Sequence, residues 1–392
     1  MSEPWLAIIG LGEDGPAGLS DASRAALARA EVVFGAPRHL ALVDPGARGQ
    51  AWPVPFDLGP LLACRGQRVA MLVSGDPFWF GAGGSVAACL APGEWVAHPV
   101  AGTFSLLAAR LGWRLEDVIC LGLHAAPVAR LWPVLARGVR VICTLRDATA
   151  VAELSGWLTA HGFGAAQVTV AEALGGPRER LRSGCDWPDI VAPVAVAIDG
   201  ADLPPRAGLP RASGLPDDLF QHDGQITKAP VRAITLSALG PRPAELLWDI
   251  GAGSGSVSVE WCLSGGRTVC IEARADRAAT ITANADRFGV AHRMDVRHGV
   301  ALPMLAGLPP PDAVFVGGGG DAALYDALWA VLPPGTRVVA NGVTLEAEAR
   351  LADLHARHGG TLLRLDLAEA GQLGRFRDWQ AARPVVQWRG IR

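Results

Sequence analysis

The chain has 392 residues, of which half are hydrophobic, and this length suits two or three domains with substantial cores. Its net charge of -3 offers no electrostatic basis for non-specific nucleic-acid binding, so we expect no nucleic-acid partner. No apolar run reaches the roughly 20 residues that a membrane span needs. Seven cysteines occur without a C-x-x-C pair, and the His and Cys spacing predicts no metal site. We therefore expect a soluble, cytoplasmic protein that makes no membrane contact.

In the first half of the chain, short β-branched runs alternate with Ala/Leu-rich stretches. A helix is predicted at Asp21–Ala30, where an Asp or Ser cap precedes an apolar stripe. This alternation predicts an α/β layer fold. The predicted strands are Trp5–Ile9, Glu31–Phe34, Val69–Val73, Trp95–His98, Val139–Leu145, Gln167–Glu172 and Val191–Ile198.

After Ile198 the alternation stops, and the segment Asp199–Gly224 is rich in Pro, Gly and Asp. Such a composition is typical of a linker. We therefore predict a first domain at residues 1–200, a linker at 201–221 and a second domain at 222–392.

The second half resumes the α/β alternation. Helices are predicted at Pro230–Leu239, Ser254–Leu263, Arg274–Phe288, Ala322–Val331 and Leu345–Arg357. Strands are predicted at Leu246–Ile250, Thr268–Glu272, Met294–His298, Ala313–Val316 and Thr336–Asn341, followed by a terminal pair at Gly360–Leu367 and Val385–Arg389.

The strand Leu246–Ile250 runs into a glycine-rich turn and has Asp249 near its end. Glu272 ends the next strand and could accept hydrogen bonds from both hydroxyls of a ribose. The form D-x-G-x-G-x-G differs from a dinucleotide fingerprint, which needs Gly or Ala where Ser256 stands. An acid beside the turn suits the cationic groups of S-adenosylmethionine better than a pyrophosphate. The pattern therefore predicts a methyltransferase; a nicotinamide-dependent dehydrogenase is the alternative.

Four glycines, Gly317–Gly320, follow the predicted strand Ala313–Val316. Many methyltransferases that modify nitrogen carry N/D-P-P-Y/F at this place. The glycines instead leave room for a bulky substrate against the backbone, although a flexible loop is an alternative reading. Together with the low net charge, their presence argues against an RNA methyltransferase.

The second half resembles the CbiT family of corrin-pathway methyltransferases in HDGQITKAPVRAITLSALGP (222–241), DIGAGSGSVSVEW, VFVGGGG and ANGVTLE (340–346). The resemblance implies methylation of C15 of a precorrin and decarboxylation of its ring-C acetate. It implies S-adenosylmethionine contacts at Thr227, Gly251, Ala252, Gly253, Ser254, Gly255, Glu272 and Ala301. The candidates for substrate contact are Lys228, Arg232, Gly318 and Asn341; for Lys228 and Arg232 a solvated helix face is the alternative.

The first half resembles the tetrapyrrole methylases, and among them the CbiE branch. The matching segments are IGLGEDG (9–15), VFGAPRHL (33–40), VSGDPFWFG (73–81), HPVAGTFSLLAARLGW (98–113) and EALGGPRER (172–180); Glu13 and Asp14 replace the usual Pro-Gly. The resemblance implies cofactor contacts at Gly10, Gly12, Gly75, Asp76, Pro77, Thr103 and Ser105. Arg38 and His39 are candidates for binding substrate carboxylates, with a surface pair as the alternative. Asp76 could instead cap a turn.

Together the two resemblances imply a two-part tetrapyrrole methylase fold followed by a Rossmann-like class I methyltransferase. They imply that S-adenosylmethionine methylates C5 through the first half and C15 through the second. The implied conversion is of precorrin-6B to precorrin-8X in cobalamin biosynthesis. We expect a precorrin tetrapyrrole as substrate and a homo-oligomer as the assembly. No residue is assigned as a catalytic base or nucleophile; a non-enzymatic nucleotide sensor is a further alternative.

Overall fold

The structure is a computed structural model that describes residues 3–184 and 186–392; Cys185 therefore lies outside the described residues. The chain divides into two compact units. The first comprises Met1–Val128 and Leu135–Ala207, and the second comprises Ala129–Val134 and Gly208–Arg392. Within the second unit, the ring of Trp132 stacks on that of Phe288 at 5.1 Å. In the part of the chain that the structure describes, no helix is long and apolar enough to cross a membrane.

A five-stranded parallel sheet, ordered β3-β2-β4-β1-β5, begins the first unit. Its strands β1 and β4 read as near-continuous apolar runs, because cores of buried side chains cover the sheet on both faces. The strands are β1 Leu6–Leu11, β2 Val32–Gly35, β3 Gly49–Ala51, β4 Val69–Ser74 and β5 Trp95–His98. The helices are α1 Asp21–Arg29, α2 Pro37–Val43, α3 Gly59–Leu62 and α4 Gly83–Ala87.

The second sheet of the first unit is mixed and has the order β6-β7-β10-β8-β9. Only β6 and β7 pair in parallel, whereas β10 lies antiparallel between β7 and β8. The strands are β6 Val118–Gly122, β7 Arg140–Leu145, β8 Gln167–Glu172, β9 Arg180–Ser183 and β10 Val194–Asp199. The helices are α5 Thr103–Leu111 and α6 Ala148–Ala160. These two sheets form the two-part first half that the sequence predicted.

The second unit contains a seven-stranded sheet with the order β13-β12-β11-β14-β15-β19-β16. Its first five strands are parallel, and β19 runs antiparallel between β15 and β16. The order reverses direction between β11 and β14, which is where open α/β sheets bind ligands. The strands are β11 Leu246–Ile250, β12 Arg267–Glu272, β13 Met294–His298, β14 Ala313–Val316, β15 Arg337–Gly342, β16 Thr361–Leu365 and β19 Val385–Ile391.

Helices cover both faces of this sheet, and an apolar core lies between the sheet and the helices on each face. They are α7 Ala229–Leu239, α8 Ser256–Leu263, α9 Ala275–Arg287, α10 Ala301–Met304, α11 Ala322–Val331 and α12 Leu345–His358. The Rossmann-like prediction is confirmed. Two further strands, β17 Ala368–Leu373 and β18 Phe376–Ala381, were not predicted; within the described ranges they pair with each other and with no other strand.

Candidate active sites

The turn after β11 has a backbone that only glycine adopts without strain. The φ angles of Gly251, Gly253 and Gly255 are +69°, +60° and +72°. A Cβ at Gly255 would lie 2.8 Å from Cγ2 of Ile281, and a Cβ at Gly251 would lie 3.0 Å from the carbonyl oxygen of Gly318. The turn therefore lies close to both α9 and the loop after β14.

Glu272 holds this turn against the end of β12. Its carboxylate accepts hydrogen bonds from the backbone N–H groups of Gly253, at 2.9 Å, and Arg274, at 3.0 Å. The N–H groups of Gly251 and Ala252 both donate to the carbonyl oxygen of Ile271. Each carboxylate oxygen retains lone pairs, so Glu272 can still accept hydrogen bonds from a bound hydroxyl.

Asp249 lies fully buried beneath the same turn. Its Oδ2 accepts a hydrogen bond of 2.6 Å from the Ser258 hydroxyl, while Oδ1 has no partner among the residues that the structure describes. Burial, and secondarily the charge of Glu272, raise the pKa of Asp249 to about 7. The acid that the sequence places beside the loop is therefore a buried group under it.

Asn284 ties the segment before α7 to the glycine turn. Its amide nitrogen donates to the carbonyl oxygens of Gln221 and Ser254, both at 2.9 Å, and its oxygen accepts from the backbone N–H of Gln221 at 2.8 Å. The chain then passes over the turn, since a Cβ at Gly253 would lie 3.7 Å from the carbonyl oxygen of Gln225. Asn284 was not predicted as a site residue, because its only signal in the sequence is an amide on the apolar face of a predicted helix.

Thr227 and Ala301 are both half-buried at this end of the second unit. Thr227 directly precedes the Lys228 cap of α7, and Ala301 begins α10 after β13. Thr227 lies two residues after Gln225, whose carbonyl oxygen faces the turn at Gly253. Ala301 follows β13, the strand that pairs with β12.

The glycine run after β14 touches the glycine turn after β11. A Cβ at Gly317 would lie 2.9 Å from the carbonyl oxygen of Gly251, and one at Gly320 would lie 2.9 Å from the hydroxyl of Tyr325. Gly318 is exposed and has open space around it among the described residues. The backbone there is accessible, as a substrate contact requires.

Two substrate candidates of the second unit are corrected by the structure. Arg232 is 0% exposed, and its Nε donates to Glu260 at 2.6 Å while Nη1 contacts Asp217 at 3.1 Å. Asn341 is buried, donating to the Thr235 hydroxyl at 3.0 Å and accepting from Gln387 at 2.9 Å. Both side chains already have partners and face no solvent, so neither is available to a substrate.

Lys228 remains available. Its side chain is 60% exposed, with Nζ 3.5 Å from the carboxylate of Asp217. A single partly exposed partner binds such an ammonium group weakly. Lys228 can therefore exchange Asp217 for a substrate carboxylate.

In the first unit, three backbone segments converge at the carboxyl ends of β1 and β4. A Cβ at Gly10 would overlap the carbonyl oxygen of Gly75, and one at Gly75 would lie 2.6 Å from Cα of Gly102. Gly75 has φ +60°. These contacts explain, independently of any ligand, why positions 10 and 75 are occupied by glycine.

A cavity of about 810 Å³ opens beside these segments, between the two sheets of the first unit. Its volume lies in the range of small-molecule sites. The predicted residues that line it are Gly12, Arg38, His39, Gly75, Asp76, Thr103 and Ser105. Gly10 and the buried Pro77 lie outside its lining, and Asp76 Oδ1 accepts from the N–H of Phe78 at 2.8 Å, as a turn cap does.

Arg38 and His39 form a connected polar group on the cavity wall. Nη2 of Arg38 lies 2.9 Å from both the Ser74 hydroxyl and Nε2 of His39, and Nη1 pairs with buried Glu13. Arg178 also pairs with Glu13, at 3.6 Å. Burial, followed by the charge of Arg38, lowers the pKa of His39 to about 4, so its imidazole is neutral at pH 7.

Glu13 was not predicted as a functional residue, because in the sequence it is only a departure from the Pro-Gly usual in the family. A Cβ at Gly176 would lie 2.6 Å from Cβ of Glu13, so the glycine makes room for this buried acid. Among the described residues, no group of three or more His, Cys, Asp or Glu is placed to hold a metal ion.

Comparisons with known proteins agree with this two-part architecture. Residues 6–184 match the tetrapyrrole (corrin/porphyrin) methylases, and residues 218–392 match the precorrin methyltransferase domain. A precorrin-6Y C(5,15)-methyltransferase (decarboxylating) from Sinorhizobium sp is 44% identical over 401 residues, covering 98% of this chain and 96% of the relative. One of that name from Mycobacterium tuberculosis is 37% identical and covers 98% of each chain.

A crystal structure of the C-terminal domain of precorrin-6Y C5,15-methyltransferase from Rhodobacter capsulatus is 60% identical, covers 47% of this chain and all of that one, and has a TM-score of 0.46. The family matches in both halves make this chain a methyltransferase with two methylase regions. It belongs to the family of precorrin-6Y C(5,15)-methyltransferases (decarboxylating).

Proposed function

We propose that this enzyme uses S-adenosylmethionine to methylate C5 and C15 of precorrin-6B and decarboxylates the ring-C acetate, giving precorrin-8X for cobalamin biosynthesis. The first unit methylates C5; the second methylates C15 and decarboxylates. One observation carries the proposal: two separate glycine turns lie at the carboxyl ends of parallel strands in two different sheets. Relatives named for two methylations and a decarboxylation match the chain along nearly its whole length.

The turn of the second unit fits S-adenosylmethionine. Bound there, this cofactor supplies an electrophilic methyl group. A Cβ at Gly253 would enter space beside the turn, 3.7 Å from the carbonyl oxygen of Gln225, so this glycine leaves that space to a ligand, and Glu272 keeps lone pairs for ribose hydroxyls. The unpartnered Oδ1 of Asp249 belongs to a buried carboxyl group beneath the turn, and a cationic ligand above it would favour the ionised form of that group.

The residues around the second turn suit a large, mostly apolar ring. The segments that follow β13 and β15, including the starts of α10 and α12, expose apolar side chains on either side of the glycine run after β14, namely Val300, Leu302, Val343 and Leu345. These side chains exclude water from a carboxylate placed among them, which raises the free energy of the ionised group. When its carbon–carbon bond breaks, carbon dioxide leaves, the conjugated ring takes the electron pair, and the former methylene carbon gains a proton.

The test is to incubate the full chain with precorrin-6B and S-adenosylmethionine carrying a carbon-13 methyl group. We expect two labelled methyl groups, resolved as C5 and C15 by NMR, and one carbon dioxide per substrate. A product with one methyl group at saturating cofactor, or two methyl groups without carbon dioxide, would contradict the proposal.

Two variants assign the reactions to the units. Gly251→Val places a side chain against Gly318 at a φ of +69°, so we expect loss of C15 methylation and carbon dioxide release, with C5 methylation retained. Gly75→Val places one against Gly102 and should remove only C5 methylation. Gly307→Ala and Gly84→Ala add a Cβ in open space and are the matched controls. Loss of both methylations in each variant would refute the division of labour.

We also propose that the chain forms a homo-oligomer with a second copy at the β17–β18 hairpin. The hairpin pairs with no other strand among the described residues, yet it exposes Leu373, Phe376 and Trp379, the last by 71%. A two-stranded ribbon is marginally stable by itself, and apolar side chains of this kind favour association. Light scattering after size exclusion should give a mass that is a multiple of 40.8 kDa, and Phe376→Ser/Trp379→Ser should lower that mass. A monomeric parent protein would contradict this.

The expectations of a cytoplasmic location and no nucleic-acid partner remain predictions.

A further inference from the structure

The loop after β4 exposes three successive aromatic side chains, Phe78, Trp79 and Phe80. Trp79 and Phe80, each 52% exposed, line the cavity of the first unit, whereas Phe78 does not. Phe78 instead packs on Trp95, with ring centroids 5.3 Å apart. Aromatic rings in water are unfavourable unless a ligand or partner covers them. The two cavity rings are therefore candidates for ligand contact, and their neighbour is not.

Both cavity rings rest on one buried side chain. The ring of Phe104 lies 5.5 Å from that of Phe80 and 6.3 Å from that of Trp79, measured between centroids. A Cβ at Gly122 would lie 2.7 Å from Cδ1 of Phe80, so this glycine of β6 leaves the space that the ring occupies. The rings are thus supported from within the protein while half of their surface stays open to the cavity.

Phe80 adopts a backbone conformation that bulky residues avoid. Its φ is +55°, in the left-handed region. Such strain persists where surrounding structure enforces it and is concentrated in ligand-binding segments. Glycine at this position would relieve the strain. The half-exposed ring of Phe80 contributes little to the core, so core packing does not account for a strained phenylalanine here.

The cavity places a cation between aromatic groups. The segments that follow β3, β2 and β4 lie side by side, because the strands have the order β3-β2-β4. They carry Trp52, Arg38 in the first turn of α2, and Trp79 respectively, and all three residues line the cavity. Arg38 is held by Glu13 and Ser74, so its position is fixed. This pattern matches a flat conjugated ring whose periphery bears carboxylates.

We propose that Trp79 and Phe80 form a stacking platform for the face of the tetrapyrrole macrocycle in the first unit, and that Arg38 contacts one of its carboxylates. The inference rests on the proposed function and names the residues that orient the ring. Trp79 and Phe80 act as positioning residues: they fix which ring carbon lies beside the loops at Gly12 and Gly75. No bond to either side chain forms or breaks.

The test compares Trp79→Ala, Phe80→Gly and Phe78→Ala in the full chain. With precorrin-6B and carbon-13-methyl cofactor, C5 methylation reports the first unit and C15 methylation is the reference within each protein. Stacking on one aromatic ring contributes about 1–3 kcal/mol, or roughly a 5- to 150-fold change in affinity. We expect Trp79→Ala and Phe80→Gly to raise KM for C5 methylation at least about fivefold. C15 methylation and cofactor affinity should stay unchanged, as should both methylations in Phe78→Ala.

Phe80→Gly separates binding from folding. Because relief of the left-handed strain offsets the lost contact with Phe104, its melting temperature should stay close to that of the parent protein while its KM for C5 methylation rises. An unchanged KM in Trp79→Ala and Phe80→Gly would overturn the platform and leave the proposed function standing. An equal rise in Phe78→Ala would also overturn it. Failure of the parent protein to methylate C5 at all would instead refute the proposed function.

Discussion

Replacing Arg232 by methionine should destabilise the second unit without altering substrate affinity directly. The guanidinium is buried and donates to Glu260, to Asp217 and to the carbonyl oxygens of Thr227 and Leu215. It also lies 4.7 Å from the ring centroid of Phe220. These contacts join the segment before α7 to the helices α7 and α8.

The magnitude follows from what methionine leaves behind. Glu260 is 4% exposed and also accepts from the N–H groups of Gly214 and Leu215, so its charge would stay buried without a cation. Removing one partner of a buried ion pair costs about 3–5 kcal/mol. A domain is stable by about 5–15 kcal/mol, so the variant should approach the threshold of unfolding. Arg232→Met/Glu260→Gln removes the charge and should recover part of the loss; recovery is incomplete because the two N–H groups donate to different carboxylate oxygens and glutamine keeps only one acceptor oxygen.

Hydrogen exchange with mass spectrometry, on peptides from β14 and β15 in increasing urea, measures opening of the second unit alone. We expect the lower stability only in Arg232→Met, with little change in Lys228→Met, whose exposed ion pair contributes under about 1 kcal/mol. The reasoning fails if Arg232→Met exchanges like the parent protein while its KM for precorrin-6B rises at least about tenfold, which is about 1.4 kcal/mol. That result would make Arg232 a substrate contact.

Three further predictions concern charge at the two sites. Asp249 has a folded-state pKa of about 7, so between pH of about 4 and 7 the folded state binds a proton that the unfolded state lacks. The free energy of unfolding should therefore fall as pH rises through that window, by up to about 4 kcal/mol in urea titrations, and Asp249→Asn should remove this fall. The same pH dependence in both proteins would contradict this. His39 has a folded-state pKa of about 4, so the free energy of unfolding should instead fall, by up to about 3 kcal/mol, as pH drops from about 6.5 to 4. His39→Gln should lack that loss, and an identical pH dependence of thermal unfolding in the two proteins would show that His39 does not cause it. Glu13→Gln should raise KM for C5 methylation severalfold by loosening Arg38, with Glu31→Gln as the exposed-acid control; equal effects in both would show that the Glu13 contact is immaterial.

The elements of the second unit were predictable because each carries a strong local signal. Buried parallel strands such as β11 and β14 read as short apolar runs, and the glycines between β11 and α8 mark a turn that other residues cannot adopt. The hairpin β17–β18 was not predictable in this way, since both strands are exposed and lack apolar alternation. Gly374 lies in the turn between the two strands and has a positive φ angle, but a single glycine predicts a hairpin turn only when the flanking strands are recognised.

The site was predictable in its backbone and less so in its side chains. Lys228 and Arg232 are four residues apart and equally cationic, yet the first is exposed and the second is enclosed by Glu260 and Phe220. The burial of Arg232 depends on residues 28 positions along the chain on α8, which no local pattern reveals. Asn341 was misassigned for the same reason, because its partners Thr235 and Gln387 come from α7 and β19.

The glycine run after β14 illustrates how the structure divides a motif into parts with different causes. Gly317 and Gly320 are required by the protein itself, because a Cβ would meet the carbonyl oxygen of Gly251 and the ring of Tyr325. Gly319 is required by its own φ of +73°. Gly318 alone combines open surroundings among the described residues with a backbone that needs no glycine. Internal packing therefore explains two of the four glycines and backbone conformation a third, and the demand for room beside a large substrate is left to Gly318.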